Sequence, residues 1–486
     1  MTITRSLTSS QRRWIALFVV CLGQLMMVVD ATIVNVALPS IQRDLRFSQA
    51  DLTWVVNAYL IAFGSFLLMA GRLGDLVGRK KVFLFGLVLF TAASAACGLA
   101  NDQIVLIVAR FIQGLGGAVA SSAVLALIVT EFPRPDERVK AMSAYMFTAT
   151  AGGSLGLIAG GALVQSLDWH WIFFVNVPIG AVALWLGSLL INETEAIGIR
   201  QGVDVLGSML VTGALMLVVY AIVTSADYGW GSAHTLGFAG AGLALLGAFL
   251  VWESRVRNPI FPLRILKLRT LIGASAVRGL IVTGWFGSFF LGALYLEHVL
   301  GFSALETGLA FLPMTLTVLT MSLGIGARLM ARFGALPMVV AGTAATTTGL
   351  FGLAQAGVHA SYAPLVLGSF ILLGLSGGMA MLPLLTIATS EVPERDAGLA
   401  SGIVNVSMQV AAALGIAILG TIATDHTRNL VADGTSMASA LTGGYHVAFI
   451  AGAVSAAFGA VVALLALRTP RAREEAATAD LEVARA

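Results

Sequence analysis

The chain reads as an all-α polytopic membrane protein of fourteen transmembrane helices. It is expected to form two parallel six-helix bundles plus two linker helices (6+2+6), with both termini cytoplasmic. Three observations predict this. About fourteen apolar runs of roughly 20 residues, each long enough to cross a bilayer, fill the 486 residues between short charged loops. The composition, 58% hydrophobic and 11% charged with a mean hydropathy of +0.91, excludes a soluble globular domain. A stretch in the first half realigns with one in the second, eight spans later.

The first span, near 14–37, is too long for a signal sequence and lacks a small-residue cleavage pattern before the next one. Spans two to seven follow near 51–71, 81–100, 103–128, 140–165, 171–191 and 203–223. Spans eight to fourteen lie near 236–254, 271–298, 305–329, 336–356, 362–390, 397–424 and 445–468. The implied organisation is a cytoplasmic N-terminus (1–13), a first bundle (14–192), two extra helices (203–254), a second bundle (271–468) and a disordered cytoplasmic tail (469–486).

Lysine and arginine set the orientation. With the N-terminus inside, 23 of the 28 lie on the inner side; only Arg43, Arg46 and Arg428 fall outside, and Arg110 and Arg278 fall within spans. The isoelectric point near 9.0 therefore reflects loop asymmetry, and a nucleic-acid partner has no support. Cys21 and Cys97 sit in different spans at different depths, an improbable disulfide. All six histidines fall on the outer side, and no metal-ligand spacing, P-loop or nucleophile motif is present, so neither catalysis nor a bound metal is expected.

The repeat pairs the 23 residues from Gly114 with those from Gly374, eight of them identical without a gap, including Gly114 with Gly374, Glu131 with Glu391, Pro133 with Pro393 and Asp136 with Asp396. An even displacement keeps both halves in the same orientation, as in a parallel repeat about an axis along the membrane normal. Six plus six leaves spans seven and eight between the halves.

Within the first half, the loop GRLGDLVGRKK runs from Gly71 to Lys81 as a tight cytoplasmic turn. Gly71, Gly74 and Gly78 permit close backbone approach, Asp75 suits the positive N-terminus of the next helix, and Arg72 and Arg79 can pair with carboxylates. Span four contributes RFIQGLGG, in which Arg110 is an intramembrane cation whose repeat-mate is Phe370. Span five carries GGSLGLIAGG; its Gly152, Gly156 and Gly160, with Gly161 beside them, make a close-packing stripe. Asp30, in the run DATIVNVALP, is an acid in hydrocarbon about 24 Å from the cytoplasmic end of the first span, where desolvation and a nearby cation would act on it in opposite senses. Glu297, near the outer end of span nine, is the second acidic candidate.

These strings carry a resemblance. The Gly71–Lys81 loop, with Leu76 where a basic residue is usual, resembles the loop signature of the major facilitator superfamily, which implies a latch between halves on the cytoplasmic side. The segment from Arg110 to Gly117 resembles the superfamily's second motif, whose buried arginine is associated with proton transfer. The span-five stripe resembles the antiporter motif, though Leu157 replaces its proline. DATIVNVALP and WHWIFFVNVPIG (Trp169 to Gly180) look like signatures of the 14-helix drug/proton antiporter family.

That resemblance implies a proton-coupled exporter of amphipathic, cationic or aromatic small molecules in a bacterial inner membrane, working by alternating access, with the proton as coupling ion and no cofactor. Asp30, Arg110 and Glu297 would serve coupling. Candidate cavity-wall residues, chosen by side-chain chemistry, are Trp54, Asn57 and Tyr59 of span two, Gln113 of span four, Trp285, Phe289 and Tyr295 of span nine, and Asn405 and Gln409 of span thirteen. The alternatives are an exporter dedicated to one metabolite, antibiotic or lipid, and an importer; a membrane enzyme would need a soluble domain or an intramembrane acid–histidine cluster. Besides the lipid bilayer and the transported molecule no partner is indicated, and the sequence says nothing of a periplasmic adaptor.

Overall fold

The computed structural model describes residues 9–132, 134–193, 204–256, 259, 263, 268–392 and 397–467. The 469–486 tail, the first residues of the N-terminus and the loop positions Pro133, Pro393 and Asp396 lie outside the described residues.

The described residues form helices and no strand. In chain order these are α1 (Ser9–Leu45), α2 (Thr53–Val77), α3 (Arg79–Gly98), α4 (Gln103–Glu131), α5 (Pro135–Ser166), α6 (Trp171–Phe174), α7 (Asn176–Leu190), α8 (Val205–Tyr228) and α9 (Ala233–Glu253). They continue with α10 (Arg269–His298), α11 (Ala304–Ala310), α12 (Leu312–Thr320), α13 (Gly326–Phe333), α14 (Ala335–Leu353), α15 (Leu367–Thr389), α16 (Ala397–Ala432) and α17 (Met437–Ala466). Eleven helical segments are long and apolar enough to span a bilayer, and three shorter apolar helices are Thr53–Leu67, Leu155–Ser166 and Ala304–Thr320. Backbone groups in hydrocarbon must be bonded within the helix, so the chain is a multi-pass integral membrane protein.

Several helices overrun the apolar runs that predicted them. The first, expected over 14–37, extends to Leu45; the second, expected to end at 71, reaches Val77; the thirteenth reaches Ala432. Once a helix has nucleated, each further residue adds a backbone bond at small cost, so polar flanks continue it beyond the hydrocarbon. The tight turn expected from Gly71 to Lys81 shrinks to Gly78 alone, whose φ of 110° suits a residue without a side chain. The run 305–329 is not one rod: it divides at Phe311 and again at a π-helical turn, Met321–Ile325, where Gly324 has φ 113°.

Packing concentrates within α1–α7 and within α10–α17. The two segments aligned by the repeat make corresponding contacts: a Cβ on Gly114 of α4 would meet the Tyr59 carbonyl of α2, and one on Gly374 of α15 would meet the Met314 carbonyl of α12. Likewise Gly86 of α3 abuts Ala120 of α4, and Gly342 of α14 abuts Ala380 of α15. The hairpin α8–α9 leans on α2 and α16 through α8, while α9 is mostly exposed.

The groups meet where α1 contacts α10 and α11, α2 contacts α16, and α5 contacts α11 and α12. At the end holding Arg43, backbone meets backbone: a Cβ on Gly161 would lie 2.7 Å from both the Ala304 carbonyl and Leu305 Cα, while one on Gly308 would strike the Leu157 carbonyl. Arg43 and Glu297 bridge α1 and α10 there, 2.9 Å apart, and Gly420 of α16 lies against Thr53 of α2. At the opposite, lysine- and arginine-rich end, bonds among the described residues include Arg13 with Glu137 at 3.3 Å, Arg79 with Thr130 at 3.0 Å and Thr270 with Glu391 at 2.9 Å, each within one group.

Candidate functional site

Inside the first group a buried polar cluster interrupts the apolar packing. Close helix approach creates it. Gly114 brings α4 onto the α2 backbone, Gly116 brings α4 against Phe90 of α3, and Gly180 of α7 packs on Thr91 of α3. Arg110 and Gln113, one turn apart on α4, therefore share a face that looks into the bundle. The chain breaks between α6 and α7 at Val175, which places Asn176 beside them.

Asp30 of α1 sits at the centre with 0% exposure. Its Oδ2 accepts from Arg110 Nη1 at 2.7 Å; its Oδ1 accepts from Gln113 Nε2 at 2.7 Å and from Asn176 Nδ2 at 2.8 Å. Both amides also donate to Ser94 Oγ, at 3.0 and 2.9 Å, and Ser94 donates onward to the Phe173 carbonyl at 3.0 Å. Arg110 Nη1 reaches Gln113 Oε1 at 2.7 Å, Nε reaches the Val55 carbonyl at 2.9 Å, and the guanidinium lies 4.5 Å from the Tyr59 ring centroid.

Three donors on one carboxylate form the complement of an anion. Each buried ion costs several kcal/mol of hydration, recovered only by good geometry and additional hydrogen bonds, and this arrangement supplies both. A proton arriving on Asp30 would turn an acceptor into a donor and force at least one of the three partners away. Protonation is thereby tied mechanically to α1, α3, α4 and α7.

The structure brings Asp30, Arg110, Gln113 and Tyr59 together, but not Glu297. That residue is with Arg43 at the closed end, its Oε2 buried without a hydrogen-bond partner. The first helix is longer at both ends than the span expected over 14–37, and Asp30 stands roughly 22 Å from its Leu45 end at 1.5 Å per residue. Ser94 and Asn176 were not singled out by sequence reasoning, although Asn176 belongs to WHWIFFVNVPIG and is a polar residue in an apolar helix. Phe370, the repeat-mate of Arg110, packs on Phe311 with centroids 4.8 Å apart, so the second group holds an aromatic contact where the first holds a charge.

Of the remaining wall candidates, Trp54 and Asn57 are buried on α2, and neither side-chain atom of the Asn57 amide has a partner. Tyr295 donates to the Gly357 carbonyl at 2.9 Å inside the second group. Trp285 and Phe289 meet edge to face at 5.1 Å on α10, and Asn405 and Gln409 share a face of α16.

In the span-five stripe, Gly152, Gly156 and Gly160 seat α5 on Val28, Val29 and Ile33 of α1, whereas Gly161 seats it on α11. Leu157, standing in for the motif's proline, is fully buried and presents its carbonyl to Gly308. At the α2–α3 turn, Gly71 has open space beside it, Gly74 lies against the Arg79 stem, and Arg79 donates to Thr130 of α4. The Asp75 side chain lies outside the described residues; Arg72 is described on α2.

The family model described as Major Facilitator Superfamily matches residues 20–416. A puromycin resistance protein of Streptomyces alboniger is 38% identical over 469 residues, covering 96% of this chain and 93% of that protein. A tetracenomycin C resistance and export protein of Streptomyces glaucescens is 33% identical, covering 85% and 76%. Among solved structures, an in meso crystal structure of a POT family transporter superposes with a TM-score of 0.66 at 17% identity, covering 93% of this chain and 98% of that one, a likeness of fold. This chain belongs to the Major Facilitator Superfamily.

Proposed function

We propose that the protein is a proton-coupled secondary exporter of amphipathic, aromatic small molecules across a bacterial inner membrane, working by alternating access. The observation that carries this reading is the wholly buried Asp30–Arg110–Gln113–Asn176 network. A carboxylate saturated by donors on three other elements is a group whose proton occupancy can bias how those elements pack. Relatives named for resistance to, or export of, puromycin and tetracenomycin C support the direction and the substrate type.

In this reading the eleven spans and three shorter apolar helices make a 14-helix 6+2+6 plan with two parallel bundles, and the basic end is cytoplasmic. The closed end at Arg43 and Glu297 then faces outward, and the structure is an inward-open state. Asp30 and Arg110 couple the proton; Trp285, Asn405 and Gln409 belong to the wall between the bundles. The loop from Gly71 to Arg79 latches the cytoplasmic side in the other state. The proton-motive force suffices, since 100 mV supplies about 2.3 kcal/mol per charge moved.

Inverted vesicles test this. An acid-inside pH gradient is expected to drive puromycin into vesicles that contain the protein, and collapsing the gradient should stop it. Gradient-independent accumulation, or none beyond that of vesicles without the protein, overturns the reading.

A further inference from the structure

A second cation lies in the apolar interior, and it lacks the carboxylate that Arg110 has. Arg278 is on α10, roughly 14 Å from its first residue at 1.5 Å per residue. It is 9% exposed, enclosed by the neighbouring helices. Its Nη2 rests 3.2 Å from Met408 Sδ on α16, a weak acceptor with no charge to offer. Its Nε is buried without a hydrogen-bond partner, and among the described residues it makes no ion pair.

A buried charge without a counter-charge costs stability and is kept where it serves something else. Its surroundings point to what that is. Asn405, Met408 and Gln409 recur on one face of α16, and among the described residues no hydrogen bond engages the Asn405 or Gln409 side chain. Trp285 stands two turns beyond Arg278 on the same face of α10, its indole anchored to the Leu373 carbonyl at 3.2 Å. Gln409 in turn lies against Gly64 of α2, at the boundary between the groups. Arg278 thus meets Met408 where α10 runs along α16, with the Asn405 and Gln409 amides on the same face of α16 and the indole two turns further along α10.

We infer that Arg278, with Asn405 and Gln409, receives an acidic group of the transported molecule, a carboxylate or ionised phenol on an aromatic skeleton that packs toward Trp285. The guanidinium fork suits such oxygens in pairs. This rests on the exporter reading and deepens it by adding acidic aromatics to the cationic or aromatic molecules that the sequence pointed to.

Fluorescein and rhodamine 123 share a tricyclic skeleton and carry opposite charge, so they serve as the probe pair. Their binding to the purified full chain in nanodiscs is read by fluorescence anisotropy. Arg278→Gln is expected to weaken fluorescein by about tenfold or more and to leave rhodamine 123 nearly unchanged, with Arg278→Lys intermediate. Thermal unfolding of Arg278→Met is expected at the same or a higher temperature than the parent, because an unpaired charge leaves the interior. Absence of fluorescein binding to the parent, equal weakening of both dyes, no weakening, or a destabilised Arg278→Met with unaltered dye preference overturns the assignment. Charge-selective binding without efflux of either dye from proteoliposomes leaves Arg278 in its role and removes the exporter reading instead.

Discussion

Arg110 Nη1 stands 2.7 Å from Asp30 Oδ2 with the two side chains 1% and 0% exposed, a pair wholly enclosed by helices. Removing one member strands the other. Asp30→Ala is expected to cost about 3–5 kcal/mol, read as a drop in unfolding temperature, whereas the neutral double variant Asp30→Asn with Arg110→Gln should cost far less. Equal losses in the two would mean that the charges do not depend on each other.

Asn176 donates to both Asp30 Oδ1 and Ser94 Oγ. Asn176→Ala leaves a buried acceptor short of a partner, so a loss of about 1–3 kcal/mol is expected, together with slower gradient-driven transport. Cys97→Ser is the control: its Sγ is 3.7 Å from Gln113 Oε1, a weak contact whose replacement should change little. An Asn176→Ala variant indistinguishable from the parent in both assays would remove Asn176 from the site.

Gly161 and Gly308 let α5 and α11 touch at the closed end. Gly161→Val should force them apart and shift the population toward a state open at this end. The gauge is maleimide labelling of a cysteine replacing Thr307, fully buried there, with native Cys21 and Cys97 also buried. Labelling about tenfold faster is expected, the response to roughly 1.4 kcal/mol of bias. An unchanged rate would show that this contact does not hold the end shut.

Glu297 is expected to act as a clasp. Arg43 is 68% exposed, so the pair contributes no more than about 1 kcal/mol, and Glu297→Gln should raise the same labelling rate only a few-fold while proton coupling persists. Loss of coupling with normal substrate exchange would instead make Glu297 a carrier.

Asp30, Arg110 and Gln113 were legible in the sequence because polar side chains in unbroken apolar runs are rare enough to notice. Ser94 and Asn176 were not, since small polar residues are ordinary at helix contacts and only the packing shows which of them converge. Arg278 was visible as an intramembrane charge, but its want of a partner is a three-dimensional fact. The Arg43–Glu297 bridge spans 254 residues, beyond any local pattern. The all-helical class and the glycine contacts of the repeat followed from apolar length and spacing. Helix ends and the breaks at Phe311 and Met321–Ile325 did not, because backbone bonding outruns hydropathy and a π-helical turn has no composition of its own.

The most direct measurement compares the parent with Asp30→Asn in proteoliposomes under an imposed pH gradient, using radiolabelled puromycin. The parent should accumulate substrate against its gradient, while Asp30→Asn should exchange labelled for unlabelled substrate across the membrane and accumulate none. Accumulation by Asp30→Asn equal to that of the parent would contradict the assignment of proton exchange to this carboxylate.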